Sequence, residues 1–293
     1  MAQTFGYIGL GDQGRPIAAR IAQAGLDLVV WNRTASKMQP LVAKGARAAG
    51  SAFEVGSQAD VVFLCLDSIE AVESVVFGPE GLAASPRVQL IVDNSTMPPH
   101  ITRGWAERLA ASGKRWLDAP VSGGRIGAEA GTLAVFVGGA AEDLEVARPA
   151  IAAYAGKITH MGGLGAGQVT KACNQILNFG IWLSIAEALN VAERFGLDKK
   201  LVPHALEGGL ADSTWLKVYR TSAAPNLTRT IDAISAFYQG RVDPSYAGNM
   251  YIALKDVSMA MDIGRETGAP MPVLGLFENL VRIFHYQRAA PGA

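Results

Sequence analysis

Apolar positions in the first half of the chain fall into short runs within Thr4–Leu10, Asp27–Trp31, Val61–Leu66, Gln89–Asp93, Lys114–Asp118 and Leu133–Gly138. Runs of this length, rich in β-branched and aromatic residues, predict strands. Between them, apolar residues recur every three or four positions and predict helices over Arg15–Ala24, Ala35–Lys44, Ile69–Val76, Ile101–Ala111 and Glu142–Tyr154. A last strand is expected near Lys157–His160. Strands alternating with helices at this spacing imply an α/β architecture built on a mostly parallel, doubly wound sheet.

From Gly165 onward the strand pattern nearly vanishes. Helical periodicity covers Pro203–Glu207, Thr214–Arg220, Leu227–Tyr238, Met250–Glu266 and Pro272–Gln287. The stretch that joins the two regimes reads GGLGAGQVTKACNQILNFGIWLSIAEALNVAERFG, Gly162 to Gly196. Past its glycines it holds no proline, and helix formers dominate up to Gly196, a stop signal. At about 1.5 Å per residue such a helix would be roughly 45 Å long. Gln168, Lys171, Asn174, Gln175 and Asn178 fall within a sector of about 120° on an otherwise apolar helix. A lysine among amides on such a helix suggests a stripe lining a cavity; the alternative is a solvated stripe on a surface helix. The change at Gly162–Gly167 places an α/β domain over residues 1–162. An all-helical domain over 163–293, for substrate and oligomer contacts, opens with the long interdomain helix. A cleft between them is the expected ligand site.

The chain of 293 residues is long enough for two ordinary domains. Lys plus Arg number 26 and so do Asp plus Glu, with no basic run, which argues against nucleic acid as a partner. Cys65 and Cys173 sit in apolar runs without CxxC spacing, which fits a reduced, cytoplasmic protein. The opening MAQTFGYIGLGDQG enters a strand without a basic stretch, and no run of eighteen apolar residues follows, so neither a secretion signal nor a membrane span is expected. His100, His160, His204 and His285 are isolated, and no metal site is expected.

Gly9-Leu10-Gly11-Asp12-Gln13-Gly14 is a GxGxxG that ends a strand and opens a helix, the context a dinucleotide-binding Rossmann fold requires. Its glycines suit a tight turn, close approach to a pyrophosphate and close helix packing. After the second strand comes Asn32-Arg33-Thr34, where an NAD-binding chain usually carries an acidic residue. A guanidinium there suits a 2′-phosphate, so NADP is favoured over NAD, unless Arg33 is only a solvated loop residue. Asp118-Ala119-Pro120-Val121-Ser122-Gly123-Gly124 offers a hydroxyl and glycine N–H groups, suited to a carboxylate; its alternative is a structural turn. Asn94-Ser95-Thr96-Met97-Pro98 lies at another strand end on the same expected sheet edge. Lys255-Asp256 sits on a late helix, where a surface ion pair is the competing explanation.

These residues resemble the β-hydroxyacid dehydrogenase family, which includes 3-hydroxyisobutyrate dehydrogenase, tartronate semialdehyde reductase and glyoxylate/succinic semialdehyde reductases. The resemblance rests on GYIGLGDQGRPIA, DAPVSGGRIGAEAGTL, GGLGAGQVTKACNQ and LKDVSMAMD, in that order along nearly the whole chain. It implies a Rossmann domain, a long interdomain helix, an all-α second domain, and a homodimer or homotetramer. It implies Lys171 as the catalytic acid/base, Ser122, Gly123 and Gly124 as the substrate-carboxylate loop, Thr96 near nicotinamide and substrate, and Lys255 on the cofactor side. Cys65 and Leu66, at the end of the strand over 61–66, are counted with the cofactor contacts. Two departures stand out. Gln13 replaces the methionine usual in the glycine loop, and Gln175 replaces the family's helper asparagine, with Asn174 one position early.

The chemistry expected is hydride exchange between NADP(H) and a small carboxylate-bearing carbonyl or hydroxy acid. A partly desolvated Lys171 would stabilise the developing oxyanion and move its proton, oriented by Gln175, Asn174 or Asn178. Two alternatives remain. One is an imine reductase of the same architecture, a class that typically lacks a lysine at this position. The other is a non-catalytic NADP-binding protein.

Overall fold

A computed structural model describes residues 3–223, 225–241 and 247–289, with side chains described except at 226, 227, 247–253 and 284–289. The chain divides into two compact units, Met1–Lys171 and Ala172–Ala293.

The first unit is built on nine strands: β1 Phe5–Ile8, β2 Leu28–Trp31, β3 Arg47–Ala48, β4 Val61–Leu64, β5 Leu90–Asp93, β6 Arg115–Asp118, β7 Val121–Ser122, β8 Leu133–Gly138 and β9 Ala155–Gly162. Their order is β3-β2-β1-β4-β5-β6-β8-β7, with β9 also on β8. Strands β1 to β6 run parallel to one another, in registers such as Ile8 opposite Trp31 and Leu64. β8 reverses direction, running antiparallel to β6 and β7 and parallel to β9. The helices are α1 Gly14–Gln23, α2 Gln39–Val42, α3 Ala52–Gln58, α4 Ile69–Phe77, α5 Pro99–Ala110, α6 Gly124–Ala130 and α7 Ala141–Ala152.

The strands read as unbroken apolar runs because both sheet faces are covered. Phe5, Tyr7, Val30, Phe63 and Val92 pack on one face with Ile17, Ile21 and Ile151 of α1 and α7. Ile8, Val29, Val62, Leu64 and Ile91 pack on the other with Val55, Val72 and Trp105 of α3, α4 and α5. Successive residues alternate faces, so each strand feeds both cores. Strand order turns back at β1, whose successors in sequence lie to one side while β4 lies to the other; ligands of such sheets bind at the carboxyl ends beside that switch.

One expected element is different. Ala35–Lys44 is not a single helix but a 3₁₀ turn over Ala35–Lys37 followed by the one-turn α2. Pro40 lacks an N–H and is best accommodated in a first turn, where no intrahelical bond is lost, and a new helix starts around it. The short β3 and α3 carried no periodic signal of their own.

Helix α8, Ala166–Phe195, is 30 residues long and carries the chain from the first unit into the second. The second unit continues with α9 Val202–Ala205, α10 Thr214–Thr221, α11 Pro225–Phe237, α12 Ala247–Thr267 and α13 Pro272–Ala289, with no strand among its described residues. Its core joins Phe179, Leu183 and Ala186 of α8 to Ile231, Ile234, Val257, Leu274 and Phe277, with Phe179 stacked on Phe277 at 4.4 Å. No helix among the described residues is long and apolar enough to cross a membrane.

Candidate active site

The glycine loop lies between β1 and α1, at the switch in strand order. Gly9 has φ +95°, and a Cβ there would stand 2.2 Å from the Cys65 carbonyl oxygen, so only glycine fits. At Gly14 a Cβ would meet the Gly9 oxygen at 1.9 Å, which is how α1 can begin directly against the loop. Gly11 differs: nothing lies within 4 Å of the position its Cβ would take. That opening is a cradle of free space beside the backbone at Gly11. Gln13 precedes α1 without capping it by its side chain, and no acidic residue sits in the first turn. A helix start whose N–H groups no side chain caps fits a pyrophosphate.

Around this cradle, Asn32 ties the end of β2 to the loop. Its Oδ1 accepts from the Leu10 N–H at 2.9 Å and its Nδ2 donates to the Thr34 carbonyl at 3.1 Å. Asp12, Arg33 and Thr34 are exposed beside it. Cys65 and Leu66 follow β4 and are half-buried, with the Leu66 N–H donating to Ser95 Oγ at 2.8 Å. Beneath them Asn94 Nδ2 donates to the Ala119 carbonyl and the Tyr154 hydroxyl. Burial pushes the phenols of Tyr7 and Tyr154 up, so both stay neutral donors.

The first turn of α8 is pinned to the ends of β5 and β6. Gln168, fully buried, accepts from the Met97 N–H at 3.1 Å and donates to the Ser95 carbonyl at 2.9 Å, so it brackets half-buried Thr96. The Asp118 carboxylate accepts from the Gly165 N–H at 2.8 Å and the Gln168 N–H at 2.9 Å. Burial raises its carboxyl above the usual carboxylate range, with those N–H groups opposing. One turn on, Lys171 is 8% exposed and its Nζ donates to the Val121 carbonyl at 3.0 Å. Val121 is followed by half-buried Ser122 and exposed Gly123 and Gly124, which start α6. Lys171, Thr96 and the Ser122–Gly124 loop thus meet through Gln168 and Val121. Gln168 departs from the expectation of a cavity-lining stripe: its amide is spent on backbone groups. Asp118 and its 47-residue reach to Gly165 had no signal beyond its place in the DAPVSGG motif.

In the second unit the amides of α8 form one network. Gln175 Oε1 accepts from Asn174 Nδ2 at 3.1 Å and Asn178 Nδ2 at 3.2 Å, and Gln175 Nε2 donates to Asp256 of α12. Asn178 in turn accepts from the Trp215 indole at 3.0 Å. Asp256 is therefore engaged by Gln175, and its neighbour Lys255 is half-buried. Of the histidines, His160 Nε2 lies 2.8 Å from the Gly139 carbonyl, and the His285 side chain lies outside the described residues.

Matches to known proteins cover nearly the whole chain. Residues 4–163 match the family described as the NAD binding domain of 6-phosphogluconate dehydrogenase. Residues 165–291 match the NAD-binding family of NADP-dependent 3-hydroxyisobutyrate dehydrogenase. The 3-hydroxyisobutyrate dehydrogenase of Pseudomonas aeruginosa is 34% identical over 94% of this chain and 89% of its own. The 2-hydroxy-3-oxopropionate reductase of Escherichia coli is 38% identical over 73% of this chain and 74% of its own. The solved structure of Mycobacterium tuberculosis 3-hydroxyisobutyrate dehydrogenase with L-serine superposes with a TM-score of 0.78 at 30% identity, covering 99% of this chain and 96% of the other. With a glycine loop at the strand switch, a helical second unit and these relatives, the chain belongs to the β-hydroxyacid dehydrogenase family of NAD(P)-dependent oxidoreductases.

Proposed function

We propose that this chain exchanges a hydride between NADP(H) and a short acid bearing a carbonyl or hydroxyl group near its carboxylate, with Lys171 as general acid/base. The observation that carries this reading is the buried ammonium of Lys171, 3.0 Å from the Val121 carbonyl at the edge of the Ser122–Gly124 loop. The names of the relatives support this substrate class. 3-Hydroxyisobutyrate, 2-hydroxy-3-oxopropionate and L-serine each carry an oxygen-bearing carbon one bond beyond the carbon that holds the carboxylate.

Arg33, exposed where an acidic residue would bind ribose hydroxyls, supports NADP. Lys255 is carried as a further cofactor-side contact. When bound, NADPH supplies the hydride. Ser122 Oγ and the N–H groups of Gly123 and Gly124 hold the carboxylate, which fixes the reacting carbon relative to Thr96 and Lys171. Lys171 stabilises the developing oxyanion and gives it a proton, and in the reverse direction the neutral amine accepts one. One turn along the same helix, Gln175 and Asn174 are the proposed amide helpers.

The test is an NADPH-oxidation screen over small aldehyde and keto acids, with cyclic imines as controls, repeated with Lys171→Met. Loss of a positioned acid/base lowers kcat by about 10²–10⁴, with NADPH still bound. A variant that keeps more than about a tenth of wild-type kcat refutes the role. Turnover of imines alone would favour an imine reductase, and NADPH binding without any turnover a non-catalytic protein.

A further inference from the structure

The segment Asp118–Val121 grips the start of α8 twice. Val121 takes the ammonium of Lys171. Asp118, fully buried, takes backbone N–H groups of the helix start on both of its oxygens, Gly165 on Oδ1 and Gln168 on Oδ2. Space for that carboxylate is made by Gly138, its register partner on β8. A Cβ at Gly138 would lie 2.6 Å from Oδ1, 2.8 Å from Oδ2 and 2.9 Å from Cγ of Asp118, the three nearest atoms. Gly138 has no positive φ, so this space, not backbone freedom, is what its missing side chain provides.

We propose that Asp118 is a positioning residue for Lys171. By closing on the N–H groups of Gly165 and Gln168, it fixes both the rotation and the axial position of the turn that carries the lysine. Lys171 follows Gln168 by three positions, so it sits on the next turn of the same rigid rod. The two N–H donors converge from a helix start, where the backbone is partially positive, and a carboxylate offers each of them an acceptor. A carboxamide in its place would turn an N–H against an N–H. Burial costs the ionised carboxyl, and a residue with only a capping task at the surface would not bear that cost. Because the same short segment leads into the Ser122 loop, a slip of the helix start would move the lysine relative to the bound carboxylate.

The proposal rests on Lys171 being the acid/base, and a double-mutant cycle separates the two ideas. Asp118→Asn should lower kcat by about 100-fold, the effect of roughly 1 Å of misplacement, while KM and NADPH affinity stay near wild type. In the Lys171→Met background, the same change should cost nothing further in the residual kcat. Gly138→Ala, which displaces the carboxylate without removing it, should show the same dependence on Lys171, and it decides the matter if Asp118→Asn does not fold. Rates are referred to NADPH-binding sites counted by fluorescence titration. Wild-type kcat in Asp118→Asn, or equal losses in both backgrounds, overturns the proposal. So does loss of NADPH sites in both variants, which would make Asp118 a residue of the fold alone. Wild-type turnover in Lys171→Met sinks the acid/base reading itself, and that single variant shows it independently of the cycle.

Discussion

Gly11→Ala is the change that best separates a fold requirement from a ligand requirement. Nothing lies within 4 Å of the Cβ it would add, and Gly11 is not among the glycines with positive φ. The folded protein therefore accepts the methyl without strain, and the loss of glycine's freedom in the unfolded chain stabilises by about 0.4–1 kcal/mol. In a unit of this size that is a rise in Tm of roughly 1–4 °C. The pyrophosphate needs the space that the methyl fills. Losing one charge-assisted bond to a backbone N–H costs about 1.5–3 kcal/mol, or about 10- to 100-fold in NADPH Kd. Gly9→Ala makes the contrast: its Cβ would stand 2.2 Å from the Cys65 carbonyl at φ +95°, so Tm and affinity should fall together. Thermal unfolding without cofactor and a fluorescence titration with NADPH measure both quantities. If Gly11→Ala binds NADPH within about twofold of wild type, the cradle is not where the pyrophosphate lies.

Two further outcomes are expected. Arg33→Asp should weaken NADPH by about 10- to 100-fold through one lost charge-assisted contact and leave NADH nearly unchanged; equal losses in titrations with both cofactors would remove the 2′-phosphate assignment. Ser122→Ala should raise KM for a carboxylate substrate by about 3- to 10-fold with NADPH affinity intact, and unaltered steady-state kinetics would make the loop structural.

The glycine loop was legible because its signals are local. A strand, a GxGxxG and a helix follow one another within Phe5–Gln23; Gly14 answers to Gly9 five residues away, Gly9 to the end of β4, and Gly11 to open space. The long helix was legible from composition and the absence of proline. The partners of its polar face were not. Periodicity placed Gln168, Lys171, Asn174, Gln175 and Asn178 on one side, but it cannot say whether an amide faces a cavity or a backbone group. Gln168 turned out to bond Ser95 and Met97, and Gln175 turned out to hold Asn174, Asn178 and Asp256. Asp118 was invisible for the same reason, since its N–H donors lie at Gly165 and Gln168 and no spacing rule links them. The split of Ala35–Lys44 could have been read from Pro40, which favours the first turn of a helix over its interior.

The place where α8 is divided has a consequence for recombination. The matched families meet between residues 163 and 165, ahead of the helix, whereas the compact units part after Lys171. Six residues, Ala166 to Lys171, thus belong by sequence kinship to the helical half and by hydrogen bonding to the sheet half. A chimaera joined at the kinship boundary would import a foreign helix start, and the host's Asp118, Ser95 and Val121 would face whatever residues it carried. One joined after Lys171 would exchange the helical half while the lysine, Val121, Asp118 and Ser95 stayed native. In this architecture the exchangeable module starts in the middle of a helix.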